Sequence, residues 1–221
     1  MRSVQSSGSE ARAYQADGYV LLKQLFPPIV LALFHGKLQQ DLNLNADPSF
    51  VARTQLLTKP ALEVYSRRYV PMATFHWGLT PIASALAGCE LLPSYAYFRV
   101  YQKDDVCRVH PDRAACEHSM SLTVELADSR PWALCIGREH AEHHEPSADE
   151  GFRPGEAYAE LSMEAGDAVM YRGVNHRHGR IEPNPNRWSA HLFLHWVDPN
   201  GPSAEHAFDS VAVQNAMSQR S

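Results

Sequence analysis

From Leu91 to Asp198 the chain is written in short alternating segments, and no other feature narrows its fold so far. YAYFRVY, HSMSLTVEL, WALCIG, GDAVMYRG and SAHLFLHWV each interleave β-branched, aromatic or aliphatic residues with polar ones, and Gly, Pro and Asp interrupt the runs. A strand turns alternate side chains to opposite faces, so each segment offers one face to a core. Before Leu91 the pattern is different. Residues 9–17 predict a short helix with Ser9 as its N-cap, and 19–26 a strand that starts after Gly18. Pro27-Pro28 ends that strand and opens a second helix, with Pro at its first turn and Val30, Leu31, Leu33, Phe34 and Leu38 on one stripe. Residues 47–60 read as a loop, then 61–70 and 80–88 as helices, the last closed by Gly88. Helices first and strands later predict an α+β domain with helices packed on a β-sandwich or barrel.

With 221 residues, 44% hydrophobic and 20% charged, the chain suffices for one domain with a full core. The net charge of −5 provides no electrostatic footprint for nucleic acid. No apolar run is long enough for a membrane span, and the polar opening MRSVQSSGSEAR is no signal peptide. Cys89, Cys107, Cys116 and Cys135 form no CxxC and are expected as reduced thiols of a cytoplasmic protein. For Cys116 the expected role is that of a small buried hydrophobe.

One tripeptide carries chemistry. His110-Pro111-Asp112 sets an imidazole and a carboxylate one residue apart, and on an extended segment both side chains fall on one face. One ion can then touch both, and two His plus one carboxylate is the facial set of non-haem Fe(II) oxygenases. Alone, the motif is equally a turn, with Pro111 fixing φ and Asp112 bonding its own backbone. Downstream, after a Gly166-Asp167 turn and an apolar strand, His176 and His178 both offer a distal ligand. The polar insert 138–158 contains His140, His143 and His144 among acidic neighbours and reads as a solvated, mobile loop beside the site, able to act as a lid.

The spacing resembles the 2-oxoglutarate- and Fe(II)-dependent oxygenase superfamily, in particular its prolyl-hydroxylase-like branch. The resemblance rests on His110-x-Asp112, His178 far downstream, Arg187 soon after it, and Tyr101 ahead of the motif, and it covers residues 91–198. It implies a double-stranded β-helix, a jelly-roll core over about 91–198 buttressed by helices over about 9–90. It further implies iron held by His110, Asp112 and His178, with Fe(II), 2-oxoglutarate and O₂ as the reacting set. Arg187, in the family's Arg-x-Ser arrangement with Ser189, is the expected anchor for the distal carboxylate of 2-oxoglutarate, and Tyr101 a further contact. Arg180 is the alternative anchor, since bacterial relatives with a His-x-Arg carry an Arg there. An always-charged bidentate fork suits such a carboxylate. Arg113 reads either as a partner of Glu117 or as a contact for an anionic substrate. His191, on one face with Phe193 and His195, reads either as a pocket residue or as a hydrogen-bonded core histidine.

The implied activity is hydroxylation of an unactivated C–H in a small molecule such as an amino acid or peptidic natural product, releasing succinate and CO₂. Asp112 fills the position that halogenating relatives leave to a halide. Two alternatives stay open: a protein hydroxylase of prolyl type, and a zinc-dependent jelly-roll hydrolase or binding protein using the same three ligands.

Overall fold

The computed structural model describes residues 8–44, 46–141 and 145–210. Its centre is a pair of facing antiparallel sheets. The larger runs β1 (Tyr19–Leu22), β9 (Ala168–Tyr171), β6 (His118–Leu126), β11 (Trp188–Val197), β4 (Leu92–Gln102), β3 (Ala61–Tyr65) and β2 (Val51–Ala52) in spatial order. The smaller runs β5 (Cys107–His110), β10 (His178–Arg180), β7 (Leu134–Gly137) and β8 (Tyr158–Leu161). Leu134 and Ile136 of the smaller sheet pack on Val169 and Tyr171 of the larger, which closes the expected jelly-roll.

Three helices, α1 (Gly8–Asp17), α2 (Pro28–Leu42) and α3 (Val70–Ala87), cover the outer face of the larger sheet. Ala96, Phe98, Leu122, Val124, Leu192 and Leu194 meet Leu31, Leu38, Met72, Leu79 and Leu86 there. Period-2 strands thus spend one face on the helices and keep the other for the space between the sheets. Among the described residues no helix is long and apolar enough to cross a membrane.

Several boundaries differ from the sequence reading. Ser9 lies inside α1 and is not its cap. β1 stops at Leu22, because Lys23 and the backbone N–H of Gln24 turn to bind the buried carboxylate of Asp167 at 2.7 and 2.9 Å. Val30 and Leu33 of α2 face outward at 47% and 68% exposure, and the buried stripe is Leu31, His35 and Leu38. Residues 61–65 are a strand and 66–68 a single 3₁₀ turn, where a helix was expected. Register explains this: Leu62, Glu63, Val64 and Tyr65 stand opposite Val100, Arg99, Phe98 and Tyr97, and pairing overrides local propensity. α3 starts at Val70 and runs through Pro81, held by buried Met72, His76, Leu79, Ala83 and Leu86, and ends at left-handed Gly88 as expected.

Candidate metal centre

His110 ends β5 and His178 begins β10, and the two strands pair with these residues directly opposite. Their rings stand 4.6 Å apart. Each Nδ1 lies on a backbone carbonyl two residues earlier in the chain: His110 on Arg108 at 2.7 Å, His178 on His176 at 2.9 Å. A carbonyl only accepts, so both Nδ1 atoms carry the proton and both Nε2 atoms are the basic nitrogens. These Nε2 atoms face Asp112 Oδ1, at 3.9 Å from His110 and 3.6 Å from His178. The three ligand atoms form one group that could hold an ion.

The position of Asp112 is built from three sides. Its N–H donates to the Gly173 carbonyl at 2.9 Å. Ser119 Oγ donates to its Oδ2 at 3.0 Å and lies 2.8 Å from His195 Nδ1. Gly173 leaves the carboxylate its space, for a Cβ there would stand 2.2 Å from Asp112 Oδ2. Gly179 does the same for strand pairing, since its Cβ would meet the Cys107 carbonyl at 2.7 Å. Burial, and next the neighbouring His178, push His110 down to about 4, so it is neutral at pH 7. Burial raises Asp112, with His110 opposing. A neutral imidazole and a carboxylate short of charge compensation suit a cation.

The cavity at these ligands is also lined by Tyr97, Arg99, Tyr101, Cys107, Tyr171, Arg180, Phe193 and His195. Two buried guanidiniums reach it, and they differ. Arg99 is neutralised by Glu63 at 2.7 Å and donates to Tyr101 Oη at 3.1 Å. Arg180, 1% exposed, has no carboxylate partner among the described residues. Its contacts are the Trp132 carbonyl at 2.7 Å, Ser121 Oγ at 3.3 Å, Met163 Sδ at 3.5 Å and His191 Nδ1 at 3.3 Å. Burial pulls its pKa below the ordinary value. A buried charge with only neutral partners is a site for an anion.

The expectation for Arg187 is not met. Its side chain is 71% exposed and lies on Asp128 at 2.9 Å, bordering a separate groove with Pro60, Leu62, Val100 and Trp188. Trp188 turns toward the helices, and Arg187 sits before the strand, beyond the inward-facing set. Ser189 is buried and engaged with Asn184 at 2.7 Å. Tyr101 does line the cavity. His176 lies apart from the triad, its Nδ1 donating to the Gly137 carbonyl at 2.9 Å and its ring edge-on to Tyr19. His191 is fully buried among Tyr101, Trp132 and Phe193, and its Nδ1 accepts from Arg180. Arg113 does not pair with Glu117; its guanidinium covers the Tyr95 ring at 4.5 Å, and Glu117 accepts from the Asp198 N–H. Cys116 is buried as expected.

The insert is tied down more than a solvated loop would be. Asp149 exchanges both backbone bonds with Val109, at 2.8 and 2.9 Å. Arg177, 2% exposed between His176 and His178, forms ion pairs with Asp149 and Glu156. His143 and His144 lie outside the described residues. The sequence reading also missed Ser119, Arg99 and Gly173. The inward period of β4 and β6 would have found the first two.

No family model matches the chain, and no curated protein sequence does. Solved structures do. The non-haem alpha-ketoglutarate-dependent carbocyclase SnoK of nogalamycin biosynthesis superposes with a TM-score of 0.69 at 14% identity, over 88% of this chain and 85% of that one. HygX from Streptomyces hygroscopicus, solved with nickel, 2-oxoglutarate and hygromycin B, gives 0.63 at 11% identity over 88% of each chain. A Pseudomonas putida prolyl-4-hydroxylase gives 0.57 at 11% identity, over 85% of this chain and 97% of that one. The chain has their fold. At these identities the likeness extends to the jelly-roll and its supporting helices, and the site must be judged on its own residues.

Proposed function

We propose that this protein is an Fe(II)- and 2-oxoglutarate-dependent dioxygenase that hydroxylates an unactivated C–H of a small molecule, of the class of amino acids or peptidic natural products. One observation carries the reading: His110, Asp112 and His178 group their ligand atoms in a cavity whose inner wall holds Arg180, a buried cation with no carboxylate partner among the described residues. A zinc hydrolase or a metal-dependent binding module has no use for that second feature. The two imidazoles and the carboxylate also fit the donor preference of Fe(II). The fold neighbours, which include enzymes named for alpha-ketoglutarate and one solved with 2-oxoglutarate, support the reading.

His110, Asp112 and His178 would hold the metal. Arg180 receives the distal carboxylate of 2-oxoglutarate, the role first expected of Arg187. Tyr101, oriented by Arg99, lies along the cavity wall that flanks the co-substrate. Tyr97, Tyr171, Phe193 and Leu134 keep water from the reacting atoms. Iron with 2-oxoglutarate and O₂ supplies the oxidising chemistry, and succinate and CO₂ leave as products. The substrate approaches along the ladder of aromatic rings Tyr65, Tyr97 and Phe193 that crosses β3, β4 and β11.

The test is spectroscopic and then chemical. Anaerobic protein given Fe(II) and 2-oxoglutarate develops the weak visible charge-transfer band of a keto acid on iron. On admitting O₂, succinate accumulates slowly, and faster with the correct small molecule. Iron binding with neither band nor succinate refutes the proposal.

A further inference from the structure

A second group of ligand atoms stands beside the first. Cys116 Sγ, a ring nitrogen of His195 and a carboxylate oxygen of Asp112 all lie within 4.8 Å of one another. Cys116 is in the 3₁₀ turn just after Asp112, and His195 is on the inner face of β11. Asp112 faces both groups. Its Oδ1 looks to His110 and His178, while its Oδ2 receives Ser119 Oγ, which also touches His195 Nδ1. His195 is 2% exposed, and its Nε2 has no hydrogen-bond partner among the described residues. The Cys116 thiol meets the Tyr95 hydroxyl at 3.0 Å, and Arg113 covers that tyrosine ring at 4.5 Å. Burial, and next the Asp112 carboxylate, hold the thiol well above its ordinary range, with Tyr95 and Arg113 opposing, so a bound cation is what would release its proton.

We propose that Asp112, Cys116 and His195 form a second metal site, for a thiophilic divalent ion such as Zn(II) or Cd(II), which competes with the His110–His178 pair for Asp112. Zinc holds sulfur at about 2.3 Å and nitrogen or oxygen at about 2.0–2.2 Å, so small side-chain rotations bring these donors onto one ion. The sulfur decides selectivity. The first set has only nitrogen and oxygen and suits iron, whereas a thiolate draws the softer ions. On binding, the thiol proton passes to solvent and the sulfur–metal bond replaces the contact with Tyr95. An ion held here pulls the shared carboxylate away from the histidine pair. Zinc or cadmium then empties the first site without occupying it. The inference concerns the ligands alone and holds whatever reaction the first site performs.

The experiment uses the metal-free full-length chain and Co(II) alone as the probe. A near-ultraviolet thiolate-to-cobalt charge-transfer band appears in the wild type and in the His110→Ala/His178→Ala variant, which cannot assemble the first set. The band is lost in Cys116→Ser and kept in Cys107→Ser, the cysteine that lines the cavity of the first site. Absence of the band in the wild type overturns the proposal, as does its survival in Cys116→Ser or its loss when the two histidines are removed. Should Cys116→Ser fail to fold, His195→Gln in the double-alanine background must weaken Co(II) binding. Unchanged affinity there overturns the proposal too.

Discussion

Gly173 stands where no side chain fits, and Gly173→Ala should separate folding from metal binding. The added Cβ would lie 2.2 Å from Asp112 Oδ2 and 2.8 Å from both the Cys116 carbonyl and Ser119 Oγ, against 3.4 Å for ordinary contact. Its backbone is outside the left-handed region, so alanine tests space and not strain. The shortfall exceeds an ångström, and something must move. Asp112 cannot withdraw as a whole, because its N–H is bonded to the carbonyl of Gly173 itself at 2.9 Å. The carboxylate therefore rotates, loses Ser119 and leaves the point at which the two Nε2 atoms converge. Overpacking of this kind costs about 1–3 kcal/mol. Disturbing the support of a ligand lowers metal affinity roughly 10–100-fold. Anaerobic calorimetry with Fe(II) should show that loss in Gly173→Ala while the far-ultraviolet circular dichroism stays that of the wild type. Gly151→Ala, with nothing within 4 Å of its Cβ, serves as the control. Wild-type iron affinity in Gly173→Ala would refute the reasoning, since the carboxylate would then have tolerated the intrusion.

Arg180→Met should raise the KM for 2-oxoglutarate by an amount worth about 2–5 kcal/mol, the cost of removing one partner of a buried charge pair. Arg187→Ala should leave that KM unchanged, and the reverse outcome would return the anchor to Arg187. Tyr101→Phe removes the hydroxyl that accepts from the Arg99 guanidinium and should cost about 1.5–3 kcal/mol in the same assay. His76 is buried against Trp196, and burial pushes it from 6.5 down to about 3. The unfolded chain therefore binds the extra proton first, and stability should fall as the pH drops below about 6.5, by up to roughly 1.4 kcal/mol per pH unit from this group. Urea midpoints at pH 7 and pH 5 should converge partly in His76→Leu, and an unchanged gap would remove His76 as a cause.

What was legible in the chain was what local spacing alone determines. The alternation in β4, β6 and β11 marked the strands, because a strand puts neighbours-but-one on the same face wherever it lies; His110-x-Asp112 was legible as a candidate ligand pair, whereas the choice of His178 over His176 rested on the family resemblance. The strand at 61–65 was not legible. Glu63 on its inner face looks like a solvated helix residue until Arg99, on a strand far along the chain, is seen to pair with it. Its burial depends on a partner that only the register of β3 with β4 supplies. The same holds for Asp167, whose buried carboxylate ends β1 by capturing Lys23 and Gln24.

The two arginines after His178 show where spacing stops being informative. Both are a short distance from the ligand in sequence, both precede or end an extended segment, and both have the charge that a carboxylate requires. Their fates part at Pro183 to Asn186. Asn184 and Asn186 are fully buried there and bond the backbone of Asp104, Gln102, Asp128 and Arg130, which locks the turn over the end of the sandwich. Arg187 leaves that turn beside Asp128 at the surface, and its own N–H and guanidinium both bind the Asp128 carboxylate. Arg180 has no such escape. It is two residues beyond His178 on the same strand, so it shares the ligand's face and points between the sheets. Alternate residues of β10, His178 and Arg180, thus both line the cavity, which Asp112 enters from the segment beyond the end of β5. Under the proposed function, the cation for 2-oxoglutarate is therefore Arg180, on the strand that carries His178, and not Arg187 at the head of the next one.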